Sequence, residues 1–329
     1  MHNLIGLDIG GTKCAVILGK MGSHDTLTLV DKLVYPTQDL PGPDNMIPQL
    51  QKGIEKIMSE NGLTVEEVSG IGISCGGPLD SKAGVIMSPP NLPGWNNVRI
   101  TDIFMKNTGI PAAIQNDANA CALAEWKFGA GIGYSNIIFL TFGTGMGAGL
   151  ILDGKLYAGT NDNAGEVGHI RLESYGPVGY GKAGSFEGFC SGGGIAQLGK
   201  IRAMEKLQMG HPVSFCANIS EIDSITAKSI ASAAYNGDPV AKEIYRECGA
   251  YLGKGLSVLI DILNPELIIL GTIFIHSAQL LQPELEIHIA REALAPASRV
   301  CKIVPAALDE KIGDYASLSV AAYNLGDIK

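Results

Sequence analysis

The stretch Leu4-Ile5-Gly6-Leu7-Asp8-Ile9-Gly10-Gly11-Thr12-Lys13 constrains this chain more than any other. Ile5, Leu7 and Ile9 alternate as one face of a strand, Gly10-Gly11 permits a tight turn, and Cys14 to Leu18 supplies the returning strand. A carboxylate therefore stands at the mouth of a glycine turn. Bare backbone N–H groups there can approach a polyphosphate, Thr12 adds a hydroxyl, and Asp8 can hold Mg²⁺ directly or through its waters. The same residues also describe an ordinary Gly-Gly hairpin with a solvated Asp, because short motifs recur by chance.

A similar device returns about half a chain later. Ile137 to Phe142 is a strongly apolar strand, followed by Gly143-Thr144-Gly145-Met146-Gly147-Ala148-Gly149 and a further strand over Leu150 to Leu152. Strand, glycine turn and strand again predict a duplicated lobe, each copy presenting a phosphate-binding turn to a shared cleft. With 329 residues the chain exceeds one ordinary core, which also points to two lobes.

Between the two turns the pattern predicts a strand over Leu27 to Tyr35, a breaker-rich loop from Pro36 to Pro48, and a helix from Met46 to Asn61. A buried strand over Val68 to Ser74 runs into Gly76-Gly77-Pro78, either an ordinary turn or backbone brought close to a ligand. Ser88 to Trp95 is a rigid loop in which Asn91 can bond a polar ligand or merely make a turn. A strand over Ala112 to Gln115 gives way to an alanine-rich helix, so Asn116 and Asp117 stand at a helix N-terminus. They are capping residue types there, or Asp117 is a general base at the end of a core strand.

Glu166 and His169 put a carboxylate and an imidazole three residues apart, with a structural His as the alternative. Gly176 to Ala183 nearly matches a P-loop, but Ala183 replaces the Mg²⁺-binding hydroxyl and no apolar strand precedes it, so the match is discarded. Helices are expected from about Gly193 to Leu263, a buried strand in Pro265 to Thr272, a helix from Ser277 to Leu294, a strand at Lys302 to Pro305 and a last helix at Tyr315 to Leu325.

Composition closes off other classes. The chain carries 24 basic and 33 acidic side chains, a net charge of -9, with no dense Lys/Arg cluster, so no nucleic-acid partner is expected. The apolar run Leu256 to Leu270 is broken by Asp261, Asn264, Pro265 and Glu266, and the first strand leaves no room for a signal peptide, so the expectation is a cytoplasmic protein with no membrane partner. Seven cysteines without a C-x-x-C pair predict reduced, mostly buried thiols.

Taken together, Asp8-Ile-Gly-Gly-Thr-Lys13, Gly76-Gly-Pro78, Asn91-Leu-Pro-Gly-Trp95, Asn116-Asp-Ala-Asn119, Gly143-Thr-Gly-Met-Gly147 and Glu166-Val-Gly-His169 resemble the ROK group of sugar kinases and sugar-responsive repressors. That group lies within the actin, sugar kinase and Hsp70 ATPase superfamily. The resemblance implies an α/β, two-lobed actin-like ATPase (ribonuclease H-like) fold, each lobe a mixed sheet with flanking helices. Residues 1–116 and about 312–329 would form one lobe and 117–311 the other, with the active site in the cleft between them.

It further implies an enzyme that phosphorylates a free hexose from ATP, at O6, with glucose as first choice. N-acetylmannosamine, N-acetylglucosamine, fructose and allose are the alternative substrates. Asp117 would be the catalytic base and Asp8 the Mg²⁺ residue. ATP would meet Gly10, Gly11, Thr12, Lys13, Gly143, Thr144, Gly145, Gly147, Gly271 and Thr272, and the sugar would meet Gly77, Asn91, Asn116, Asp117, Glu166, His169 and Glu187. A homodimer is implied as well.

One departure is plain. The group commonly carries a zinc motif C-x-C-G-x-x-G-C-x-E, and the corresponding stretch here is Val178-Gly-Tyr180-Gly-Lys-Ala-Gly-Ser185-Phe-Glu187. All three cysteines are replaced, so no structural zinc is expected. Packing around Val178, Tyr180 and Phe186 should position the sugar-binding residues instead. The rival readings are a catalytically silent sugar sensor and a DNA-binding repressor, the latter disfavoured because only Met1 to Asn3 precede the first strand.

Overall fold

The computed structural model describes residues 2–22 and 26–326. Contacts divide the chain into two compact units. One comprises the chain up to Phe139, Gly149–Ala164 and the segment from Ala307 onward; the other comprises Leu140–Ala148 and Gly165–Ala306. The helix that begins at Asp117 thus groups with the first unit, on the far side of the lobe boundary drawn from the resemblance.

The first sheet contains β1 (His2–Ile9), β2 (Lys13–Met21), β3 (Leu27–Pro36), β4 (Val68–Cys75) and, after a small separate hairpin of β5 (Leu79–Asp80) and β6 (Val85–Ile86), β7 (Ala112–Asn116). Its order is β3-β2-β1-β4-β7, antiparallel on the β2 side of β1 and parallel on the β4 side. Ile5, Leu7 and Ile9 of β1 enter a core with Met46, Leu50, Ile54 and Phe104 from the helices Pro43–Glu60 and Ile100–Thr108. The even face, which carries Leu4, Gly6 and Asp8, lies under the last helix, Ile312–Leu325. That helix sits directly on the sheet: a Cβ at Gly72 would fall 2.4 Å from the Ala321 amide nitrogen.

The second sheet contains β8 (Ile137–Phe142), β9 (Met146–Leu152), β10 (Lys155–Leu156), β13 (Leu267–Leu270) and β14 (Lys302–Pro305), with the hairpin of β11 (Val178–Gly179) and β12 (Lys182–Ala183) standing apart. Its order is β10-β9-β8-β13-β14. Both sheets therefore follow the same path: the first strand is central, two successors lie on one side, and two later strands follow on the other. The repeated strand and glycine turn of the sequence belongs to this repeated sheet.

Several element ends differ from the sequence reading. The first helix starts at Pro43, three residues early, because proline suits the first helical position, where no intrahelical N–H bond is needed. The helix Thr272–Glu292 begins directly at the end of β13 and bends at Ser277, where the sequence placed its start. The near P-loop at Gly176 to Ala183 is the β11–β12 hairpin, whose loop residues Tyr180 and Gly181 have φ of 44° and 76°, the pairing of a type I′ turn. No helix among the described residues is long and apolar enough to cross a membrane.

Candidate active site

Strand register gathers the candidate residues of the first unit. Ile9 pairs with Cys75 and Cys75 with Asn116, so three parallel strands end in one row. One residue further along each strand come Gly10, Gly76 and Asp117. Ligands of open α/β sheets bind at such carboxyl ends of parallel strands. The Gly10-Gly11 turn closes with the Gly10 amide donating to the Lys13 carbonyl at 3.1 Å, and the Thr37 hydroxyl donates to the Gly10 carbonyl at 2.7 Å. A Cβ at Gly11 would stand 2.6 Å from the Asn91 carbonyl oxygen, which explains a glycine there and brings the Asn91 loop to the turn. The Asn91 side chain is exposed, while Leu92 and Trp95 anchor its loop in the core. Its Oδ1 lies 3.3 Å from where a Cβ would stand on Gly76, beside the exposed Gly77.

Asn116 is an N-cap, its Oδ1 accepting from the Asn119 amide at 2.7 Å, and Asp117 is the first residue of the helix. The capping role thus falls to Asn116, while one oxygen of Asp117, Oδ1, accepts from the Ala118 amide at 2.8 Å. Solvent reaches Asp117, yet the protein gathered around its carboxyl removes enough hydration to push it above the ordinary carboxylate range, against the pull of the Ala118 and Asp117 amides.

Asp8, half-buried, is pushed up to about 6, first by burial and then by the neighbouring Asp314 charge, while Lys13 and Lys32 pull it down. Asp314 sits in the first turn of the last helix with Lys32 2.6 Å away, and a Cβ at Gly313 would lie 3.1 Å from the Asp8 Oδ2. Asp8 and Asp314 offer carboxylate oxygens of the kind Mg²⁺ takes, with Lys32 already paired to Asp314. Asp8 would hold the ion directly or through its waters.

The second unit has a glycine turn of its own. The turn Gly143 to Gly145 closes with the Gly143 amide on the Gly145 carbonyl at 3.2 Å. Two helix N-termini converge on it. The Gly192 and Gly193 amides, which open the helix Gly192–Gln208, donate to the carbonyls of Gly143 at 2.7 Å and Thr144 at 3.3 Å. A Cβ at Gly192 would also lie 3.4 Å from the Ile273 side chain, in the first turn of the helix capped by Gly271. The first amides of the helix Gly192–Gln208 are thus spent on the turn and on Ser191, and Gly271 and Thr272 open the other helix. The sequence reading missed Ser191-Gly192-Gly193-Gly194. Its signal was present, a Ser followed by three glycines just ahead of a helical pattern.

Glu187, in the first turn of the short helix Phe186–Cys190, accepts from the Met146 amide at 2.9 Å through Oε2. Its stem is packed against glycine backbone: a Cβ would approach it within 3.1 Å from Gly168 and 2.8 Å from Gly179. Glu166 and His169 are exposed, on either side of buried Val167 and Gly168. The residues in place of the zinc cysteines have other roles. Ser185 caps the helix, its Oγ accepting from Gly188 at 3.1 Å, and Tyr180 sets its ring against that of His169, centroids 5.4 Å apart and planes at 82°. Lys182 Nζ donates to the His169 carbonyl at 2.6 Å, and Cys190 is buried with its thiol on the Cys248 carbonyl at 3.5 Å. Valine, a phenol and a capping hydroxyl are not zinc donors, so this stretch does not fit a tetrahedral zinc site.

A ROK family model matches residues 4–322. The chain belongs to the ROK family. It is 32% identical over 269 residues to a glucokinase of Streptomyces coelicolor, covering 81% of this chain and 80% of that one. It is 28% identical over 260 residues to the DNA-binding transcriptional repressor Mlc of Escherichia coli, covering 78% and 60% respectively. Among solved structures, a ROK family glucokinase from Streptomyces griseus in complex with glucose and AMPPNP superposes with a TM-score of 0.74 at 28% identity, covering 98% of this chain and 99% of that one. The α/β architecture of mixed sheets with flanking helices is thus the two-lobed actin-like fold of the ROK sugar kinases. The family contains both kinases and repressors.

Proposed function

We propose that this chain is an ATP-dependent sugar kinase that transfers a phosphoryl group to O6 of a free hexose, with glucose the first candidate. One observation carries the reading above the others: register brings Asp8, the Gly10-Gly11 turn and Asp117 to the same edge of one sheet. A silent sugar binder has no use for a carboxylate of raised pKa beside a cation site.

In this reading the sugar hydroxyl gives its proton to Asp117 as its oxygen bonds the γ-phosphorus, the bond to the bridging oxygen breaks, and ADP leaves. An aspartate held above the ordinary carboxylate range is the stronger base at neutral pH. Mg²⁺ supplies charge neutralisation at the phosphates. Gly10, Gly11, Thr12, Lys13 and the turn Gly143 to Gly147 offer donors to the phosphates, with Gly271 and Thr272 on the adenosine side. Gly77, Asn91, Asn116, Glu166, His169 and Glu187 serve the sugar, in a zinc-free pocket and a cytoplasmic homodimer.

The repressor relative supports one rival, a sugar-binding sensor without turnover. An ADP-release assay with MgATP against free hexoses and N-acetylhexosamines separates the two. Release that depends on one sugar is the expected result. If no sugar provokes release while one of them raises the melting temperature, the protein is a sensor.

A further inference from the structure

Glu125 lies two turns beyond Asp117 on the helix Asp117–Phe128 and is wholly buried. Among the described residues it makes no ion pair. Its Oε2 accepts from the amides of Ala130 at 2.8 Å and Ala307 at 3.2 Å, and its Oε1 from the amide of Leu308 at 2.8 Å. A buried carboxylate is retained only where its hydrogen bonds are made, and here backbone makes them all. Two of the three donors are separated from Glu125 by 182 and 183 residues. Ala307 and Leu308 open the corner that passes through Asp309–Lys311 into the last helix, whose first turn sets Gly313 and Asp314 against Asp8.

We propose that Glu125 is a positioning residue. The helix that presents Asp117 at its first residue also clamps, through Glu125, the corner that delivers the last helix to Asp8. The two carboxylates assigned to the reaction are thereby held in register through a third that touches neither substrate. This inference rests on the kinase reading for its activity readout, and on geometry alone for its structural one.

The test is Glu125→Gln. Glutamine keeps the volume and one oxygen, which can still accept the Ala130 and Ala307 amides, but it turns an NH₂ group toward the Leu308 N–H. The expected result is a fall in kcat of about tenfold or more, well below the melting temperature, as small displacements of reacting groups produce. Sugar KM should stay within about twofold, and the free Mg²⁺ needed for half-maximal activity should rise. A loss of thermal stability with kcat and Mg²⁺ dependence unchanged would overturn the proposal. Hydrogen exchange on the wild-type protein provides the second measurement. The Ala307 and Leu308 amides should exchange as slowly as core strands, and fast exchange there would overturn the clamp even if Glu125→Gln does not fold. Wild-type protein without sugar-dependent ADP release would instead defeat the kinase reading and leave the exchange result to judge the clamp.

Discussion

Glu187 and Met146 are joined by a hydrogen bond of 2.9 Å from the Met146 amide to the Glu187 carboxylate. One oxygen of a residue assigned to the sugar is thus committed to the end of the turn assigned to the phosphates. In the proposed kinase a carboxylate shared in this way would couple the two substrates. Glu187→Ala, which removes the acceptor, should therefore raise KM for ATP as well as for sugar, each by about tenfold, since a hydrogen bond to a charged group contributes about 1.5 kcal/mol or more. Steady-state kinetics with each substrate varied in turn checks this. An effect confined to the sugar KM would mean that the bond does not shape the turn.

Two glycines of the same unit should respond oppositely to a methyl group. At Gly143 a Cβ meets nothing within 4 Å, whereas at Gly168 it would stand 2.3 Å from the Met146 carbonyl. Gly143→Ala should melt within about 2 °C of wild type but bind ATP more weakly, because in the proposed kinase the methyl group would intrude where the turn meets a phosphate. Gly168→Ala should lose about 1–3 kcal/mol of stability through the forced shift of the β9 backbone. Thermal melts with titration of an ATP analogue distinguish the two.

The Asp8 environment predicts an unusual pH response. Its unfolded value is near 3.8 and its folded value about 6, so the folded state prefers the protonated form. That contribution to stability is full below pH 3.8, is lost as pH rises toward 6, and stays lost at neutrality. Asp8→Asn should accordingly raise the melting temperature at pH 7.5 while abolishing turnover. In the wild type, Mg²⁺ should stabilise less at pH 5 than at pH 7.5, since protonation removes the ligand. Melting scans with and without Mg²⁺ at the two pH values test both statements.

The edge of Tyr180 meets His169 and Lys182 bonds the His169 carbonyl, and in the proposed kinase these contacts would stand where zinc holds the sugar pocket of relatives with the cysteine motif. Tyr180→Ala should raise the sugar KM about threefold to tenfold with little change in kcat, and Tyr180→Phe should behave as wild type. Metal analysis of the purified protein should find less than about 0.1 zinc per chain, given the donor set. Stoichiometric zinc would show that ligands are recruited from elsewhere.

Much of the fold was legible because burial on one face imposes a period. Ile5, Leu7 and Ile9 enter the core while Gly6 and Asp8 face the last helix, and that alternation can be read without coordinates. The echo of the first glycine turn at Gly143 was legible for the same reason, and the two sheets share their order. What could not be read was contact across long separations. Nothing local to Glu125 announces Ala307 and Leu308, and nothing local to Glu187 announces Met146. The β11–β12 hairpin was missed because its glycines resemble a phosphate loop, whereas the positive φ of Tyr180 is visible only in the structure.

Asp117→Asn tests the central claim most directly. ADP release with the preferred sugar should fall about a hundredfold to ten-thousandfold, the range expected for loss of a general base. The sugar should still raise the melting temperature of the variant as it does that of the wild type, because the Asn119 amide keeps its bond to Asn116 and the helix keeps its cap. Turnover by Asp117→Asn comparable to that of the wild type would contradict the account.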